Sequence, residues 1–185
     1  MNSEILSFLL YVFREVKKVF LYDLSKKRMD YFIANNHGAK ISFIKCEGIS
    51  EVLVNTKIIS FTTTAATPFL YDTSLLGEKH TVLGVSLRDF APEIIEEAYN
   101  VVDDYEHVCK ERTSIHLTHI KRGKDDFVAG NIAEVIKGSI PPREAGKPTI
   151  YSPFGLGILD ITLADYVYKQ ALDKGMGIKI ENFLP

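Results

Sequence analysis

The apolar residues of this chain follow helical spacing at its start and strand-like spacing directly afterwards. The positions that recur every three or four residues near the N-terminus are Ile5, Leu6, Leu9, Phe13 and Val16. They predict an amphipathic helix over 3–15, with Ser3 at the cap position. An apolar run over 18–23 follows and closes on the carboxylate of Asp23. A strand in this position is how a nucleotide-binding βαβ unit presents an acid to a ribose.

Downstream, helical and strand-like patterns alternate along most of the chain. Strands are predicted over 40–46, 57–62, 81–86, 100–103 and, as a short one, 149–152. Helices are predicted over 25–36, 48–55, 92–99, 131–137 and 159–174, with a stop at 36–38, helical pieces over 104–124 and an extended tail over 177–184. The alternation predicts an α/β fold with a mainly parallel, doubly wound sheet, in which 100–103 is the last buried strand.

Composition narrows the classes of function. The 185 residues are 46% hydrophobic, which is enough for one packed core. A net charge of -2 leaves no basic field for nucleic acid. The apolar run over 5–13 is too short to span a membrane, and it does not have the flanks of a signal peptide. Cys46 and Cys109 do not form a disulfide framework, so a reducing, cytoplasmic setting is expected.

Ligands of doubly wound sheets bind at the carboxyl ends of the strands, and several polar residues fall there. Asp23 could bind an adenosine ribose and favour NAD over NADP, although cations at 26–28 weaken that preference; a solvated acid is an equal alternative. The threonines Thr62, Thr63 and Thr64 could contact a cofactor, but simple strand ends are the favoured interpretation.

Asp89 follows the small-residue strand end at Gly84 and Ser86. There a flat ring could lie close, and the carboxylate could perform general acid/base work. An ordinary loop pair with Arg88 is favoured by sequence alone. The segment over 152–160 holds two glycines before a helix, which is weak evidence for a ligand.

One cluster contains residue types that bind metals. Its members are His107, Cys109, His116 and His119. Their spacing is not that of a structural zinc site, so no metal site is predicted. Neither cysteine has a recognisable base beside it, so a nucleophilic thiol is not predicted either.

Together these segments resemble the ornithine cyclodeaminase/mu-crystallin family of NAD(P)-dependent enzymes over nearly the whole chain. The runs over 103–117 and 151–160 are similar to one branch of that family, the 2,3-diaminopropionate biosynthesis enzymes. The resemblance implies NAD as the cofactor and N-(2-amino-2-carboxyethyl)-L-glutamate as the substrate. Hydride loss from its α-carbon and hydrolysis would give 2,3-diaminopropionate, a siderophore and antibiotic precursor, and 2-oxoglutarate. A cyclodeaminase-type lyase and a non-catalytic relic are the alternatives.

The resemblance also implies roles for individual residues. Asp89 would face the substrate as the catalytic residue. The implied cofactor contacts are Asp23, Thr62, Thr63, Ser86, Ser152 and Gly155. The roles of the histidines in the branch-typical segment do not follow from the resemblance.

Alignment to the family gives an expectation about the start of the chain. It places residues 1–2 inside the phosphate-binding turn, so the first Rossmann strand and its glycine-rich turn are expected to be missing. Residues 1–158 would then form a truncated NAD-binding domain. Residues 159–185 would form a helix and tail that pack on the substrate and dimerisation portion in the homodimeric family, and that portion is expected to be missing too.

Overall fold

A computed structural model describes residues 1–36, 41–178 and 180. The strands are β1 (Lys18–Leu21), β2 (Ser42–Lys45), β3 (Ile58–Phe61), β4 (Thr81–Gly84), β5 (Tyr99–Val102), β6 (Val128–Asn131) and β7 (Thr149–Ser152). The helices are α1 (Asn2–Val12), α2 (Lys26–Ala34), α3 (Ile49–Asn55), α4 (Pro92–Glu96), α5 (Tyr105–Val108), α6 (Ser114–Arg122), α7 (Ile132–Lys137) and α8 (Gly157–Asp173), with a 3-10 turn at Thr73–Leu75. The predicted stop at 36–38 and the tail over 177–184 lie largely outside the described residues.

The strands form two sheets, and every pairing is parallel. One sheet has the order β1-β2, and the other has the order β3-β4-β7-β5-β6. Within the described part of the chain, β1 pairs only with β2, and β3 pairs only with β4. In the classical doubly wound order, the first strand lies between these two edges. The predicted α/β class with parallel strands is therefore confirmed, and no strand of the described residues lies between these two edges.

The position of β7 corrects the sequence-based order. The prediction made 100–103 the last buried strand, but β7 lies between β4 and β5 and is paired on both sides. Ile150 of β7 is 0% exposed. With four residues, β7 is as long as the other strands, and its late position in the sequence does not place it at an edge.

The five-stranded sheet carries most of the core. The largest fully buried side chains of this sheet and of the segments that cover it include Leu53, Val82, Phe90, Ile94, Ile95, Val102, Ile115 and Ile150. By contrast, every residue of β1 and β2 keeps partial or full exposure. The two sheets therefore differ in how much apolar surface they bury, and the five-stranded sheet contributes the larger share of the hydrophobic stabilisation.

The chain divides into two compact units, Met1–Phe154 and Gly155–Pro185. The first unit contains both sheets. The second contains α8, which has no fully buried residue in the part that the structure describes. None of the described helices is long and apolar enough to cross a bilayer. The functional boundary at 158/159 stays a prediction.

Candidate functional site

Polar residues follow four neighbouring strands of the five-stranded sheet. Thr62 and Thr63 follow β3, Ser86 follows β4, Ser152 ends β7, and Asp103 follows β5. Because these strands are parallel and adjacent, their carboxyl ends share one edge of the sheet. The structure therefore brings together most of the residues that the sequence selects.

Asp89 lies behind this edge and joins two of the strand ends. Its side chain is 1% exposed. Oδ1 accepts a hydrogen bond from Thr63 Oγ1, and Oδ2 accepts one from Ser86 Oγ. Its backbone oxygen also accepts hydrogen bonds from the N–H groups of Phe69 and Leu70, at 3.1 and 3.0 Å. A direct catalytic role stays a prediction, and these contacts favour a role in positioning the two hydroxyl groups.

A shallow recess of about 260 Å³, including space open to solvent, lies beside Ser86. Its lining residues are Gly84, Ser86, Leu87, Phe90, Val108, Thr113, Ser114, Ile115, Ser152 and Pro153, and none of them carries an ionisable side chain. A Cβ atom at Gly84 would lie 3.1 Å from Phe90 Cε2 and 3.5 Å from Ser152 Oγ. A side chain at Gly84 would therefore press on Phe90, and glycine lets these residues of the lining pack closely.

Asp103 holds the chain that leaves β7. Its Oδ1 atom accepts the N–H of Asp104 at 2.8 Å, and Oδ2 accepts the N–H of Phe154 at 2.9 Å. Burial, and then the charge of Asp103, raises the pKa of Tyr151. The sequence places Asp103 at one of the strand ends where ligands bind, but it predicts no individual role for this residue. The structure makes it a positioning residue for the segment that leads to Gly155.

Two predicted contacts lie nearer the two-stranded sheet. Asp23 follows β1 and is half-buried, and its Oδ1 atom accepts the N–H of Ser25 at 2.7 Å. Thr62 Oγ1 donates to Asn2 Oδ1 at 2.6 Å, which links the start of α1 to the end of β3. Both side chains are thus oriented by local hydrogen bonds, and their contacts with a cofactor stay predictions.

Gly155 is the remaining predicted contact. It belongs to the second compact unit and has a φ of +106°, a conformation that L side chains rarely adopt. A side chain at this position would strain the backbone. Its contact with a cofactor stays a prediction.

The histidine and cysteine cluster makes ordinary hydrogen bonds instead of a ligand shell. Tyr105 and His119 share a hydrogen bond of 2.8 Å between the hydroxyl and Nδ1, and His116 Nδ1 accepts the N–H of Arg112 at 3.3 Å. Among the residues that the structure describes, no group of three or more histidine, cysteine or acidic side chains could hold a metal ion. Burial is the main cause that raises the pKa of the Cys109 thiol.

We expect alkaline pH to destabilise the fold partly through Tyr105 and Cys109. Burial raises the pKa of both groups above their usual values, so they stay protonated in the folded chain where the unfolded chain ionises them. The unfolded pKa values are about 10 for tyrosine and about 8.5 for cysteine. The contribution of each group to stability is complete below its unfolded pKa and is lost as pH rises through its folded pKa. Urea unfolding between neutral and alkaline pH measures this loss.

The control for this measurement is the double variant Tyr105→Phe, Cys109→Ala. The pKa values of Cys46, Tyr99 and Tyr151 are also raised. The double variant should therefore still lose stability at alkaline pH, but less than the unmodified chain. An unchanged pH dependence in the double variant would contradict the assignment to this pair.

Comparison with curated proteins gives relatives that are enzymes of amino and imino acids. The chain is 27% identical over 181 residues to Delta(1)-pyrroline-2-carboxylate reductase of Bacillus cereus, covering 93% of this chain and 55% of the relative. It is 26% identical over 172 residues to N-((2S)-2-amino-2-carboxyethyl)-L-glutamate dehydrogenase of Staphylococcus aureus, covering 89% and 50%. The chain therefore spans about half the length of these relatives.

Among solved structures, an archaeal alanine dehydrogenase dimer with bound NAD superposes with a TM-score of 0.83 at 26% identity. The match covers 98% of this chain and 57% of that one. A family model described as the ornithine cyclodeaminase/mu-crystallin family matches residues 3–175. Because that match spans almost the whole sequence, the chain belongs to the ornithine cyclodeaminase/mu-crystallin family.

Proposed function

We propose that this chain is the NAD-binding portion of an oxidoreductase that acts on an amino-acid-derived substrate. The observation that carries the proposal is the convergence of Thr63, Ser86 and Ser152 at one edge of a parallel sheet. Family membership and the NAD-bound alanine dehydrogenase, which has the same fold at 26% identity, support the choice of dinucleotide.

The residues present fit such a cofactor. Within the described residues, Asp23 uses Oδ1 for a backbone N–H and leaves Oδ2 available for a ribose hydroxyl. Gly84 keeps open a space that a Cβ atom would fill, so that a flat ring could approach the strand end. Thr62, Thr63 and Ser152 are the further proposed contacts, together with Gly155 in the second unit. The chemistry that a bound dinucleotide would supply is that of a hydride acceptor.

For the substrate, we propose N-(2-amino-2-carboxyethyl)-L-glutamate. The support is the Staphylococcus aureus relative, which is 26% identical, and the segment over 103–117, which forms α5 and the start of α6. A second candidate is reduction of a cyclic imine, favoured by the 27% identical pyrroline-2-carboxylate reductase. The first reaction consumes NAD and the second consumes NADH, so the nucleotide that is consumed distinguishes them.

Calorimetry with NAD and with NADP tests the cofactor proposal. We expect NAD to bind more tightly, because the Asp23 carboxylate repels a 2′-phosphate. Asp23→Ala should weaken NAD binding about tenfold, because a hydrogen bond to a charged group is lost. The matched control is Asp72→Ala, because Asp72 Oδ1 also accepts an N–H two residues later, from Ser74 at 3.0 Å, but on an exposed loop. Equal NAD affinity in the Asp23 variant and the control would contradict the ribose assignment.

NADH absorbance tests the substrate proposal. Absorbance should rise with NAD and N-(2-amino-2-carboxyethyl)-L-glutamate. If it instead falls with NADH and pyrroline-2-carboxylate, and does not change with the first pair, the second candidate replaces the first.

A further inference from the structure

The hydrogen bonds around Asp89 have a fixed direction. A carboxylate can only accept hydrogen bonds, whereas a hydroxyl group has one proton to donate. Thr63 and Ser86 each direct their hydroxyl group at a different oxygen of Asp89. The single proton of each hydroxyl is therefore committed to the buried carboxylate, and each oxygen can offer only lone pairs to any other partner.

The two hydroxyl groups differ in what remains available. Thr63 Oγ1 already accepts the N–H of Ala65 at 3.2 Å. Ser86 Oγ accepts no hydrogen bond from the described residues, and Ser86 lines the recess. Ser86 therefore offers the recess an acceptor, and only a ligand group that carries an N–H or O–H can pair with it.

The rest of the lining indicates what kind of donor fits. No lining side chain is ionisable, so the recess holds no charged partner for an ammonium or carboxylate group. Thr113 Oγ1 is already satisfied, since it donates to Val108 O and accepts the N–H of His116 at 3.1 Å. Ser114 Oγ accepts the N–H of Phe90 at 3.1 Å. Ser152, the remaining hydroxyl group of the lining, can donate or accept a hydrogen bond, so it also suits a neutral polar group. A neutral group with an N–H donor therefore matches these surroundings better than a charged amino acid.

We propose that Asp89 is a positioning residue that makes Ser86 the hydrogen-bond acceptor for the carboxamide NH2 group of nicotinamide. The inference rests on the proposed function and adds to it a specific contact and its direction. Asp89 acts through Ser86 and does not touch the ligand. The recess then prefers nicotinamide over a similar ring without the amide, because only the amide supplies the N–H donor that Ser86 Oγ accepts.

The test compares the binding of NAD with that of 3-acetylpyridine adenine dinucleotide by calorimetry. The analogue keeps the carbonyl oxygen and replaces NH2 with a methyl group. The unmodified chain should bind NAD about five- to tenfold more tightly, since one hydrogen bond to a partly buried acceptor is lost with the analogue. Ser86→Ala should bring the ratio of the two affinities close to one.

Asp89→Asn tests the direction of the hydrogen bond. An asparagine amide can donate to Ser86 Oγ, which releases the hydroxyl proton and removes the enforced acceptor. The NAD preference should fall in this variant although Ser86 is retained. Asp72→Asn is the matched control, because Asp72 Oδ1 also accepts a serine hydroxyl, from Ser74 at 2.6 Å, outside the recess; it should keep the full preference.

The outcomes separate the inference from the proposed function. If the unmodified chain binds both dinucleotides equally, or if Ser86→Ala keeps the preference, the inference is overturned and NAD binding stands. If it binds neither dinucleotide, the proposed function fails and the inference fails with it. Thermal unfolding checks that each variant is folded; should Asp89→Asn not fold, Ser86→Ala and Ser86→Thr decide, the latter being expected to restore the preference because it keeps the hydroxyl.

Discussion

Asn100→Ala is expected to lower the free energy of unfolding by about 4 kcal/mol, because buried carbonyl groups would lose their donor. The Asn100 side chain is 0% exposed. Its Nδ2 atom donates to the backbone oxygens of Ile95, Ala98 and Phe127, at 2.6, 3.2 and 3.0 Å. These oxygens belong to the end of α4, the turn after it and the residue before β6, so one side chain joins three segments. Urea unfolding followed by circular dichroism measures the loss.

Asn55→Ala is the matched control for Asn100. Asn55 also donates from Nδ2 to a backbone oxygen, that of Glu51 at 2.8 Å, but it is exposed. Water can replace that donor, so the control should change stability by about 0.5 kcal/mol or less. Similar losses in the two variants would show that burial of the carbonyl groups is not the cause.

Phe90→Ala is expected to cost about 4 kcal/mol, as is typical for removal of a buried aromatic ring. Phe90 is 2% exposed, and its ring packs edge-on against Phe61 with 4.9 Å between the centroids. The substitution leaves a cavity beside Gly84, in the wall of the recess. Chemical unfolding gives the stability, and NAD calorimetry on the folded variant should show weaker binding because the recess has lost one side.

The control for Phe90 is Phe8→Ala in α1. Phe8 is 73% exposed, so the same change of residue type removes little buried surface. We expect its stability to stay within about 0.5 kcal/mol of the unmodified chain. A loss for Phe90→Ala below about 1 kcal/mol would show that the site collapses around the missing ring.

The sequence predicts the elements better than their arrangement. The apolar runs around Ile59, Val82 and Val102 are strands as predicted, and the periodic pattern over 159–174 is close to α8 (Gly157–Asp173). The position of β7 between β4 and β5 could not be predicted, because short apolar strands of a parallel sheet look alike and their periodicity carries no information about neighbours.

Two further differences have local physical causes. The strand β6 is not predicted, because Val128-Ala129-Gly130-Asn131 contains one β-branched residue and a glycine. The predicted helix over 92–99 is too long: α4 ends at Glu96, because the chain must turn before Tyr99 starts β5. In both places the tertiary context overrides the local propensity.

The sequence predicts which residues belong to the candidate site, but it does not predict the hydrogen bonds between them. Strand ends at 62–63, 86–89 and 103 can be identified from the sequence because polar residues follow apolar runs. That Asp89 accepts from both Thr63 and Ser86 depends on the adjacency of β3 and β4, which the sequence does not state. The same adjacency turns an apparent loop pair with Arg88 into a buried carboxylate.

The two-stranded sheet has a consequence for how binding energy is distributed. Two four-residue strands without a fully buried side chain form a marginal unit on their own. We expect β1 and β2 to open in native-state hydrogen exchange while the five-stranded sheet stays closed. Because Asp23 follows β1, a ligand bound there would protect the segment that opens most readily. Part of its binding free energy would then be spent on closing that segment, and its affinity would report local folding as well as contact.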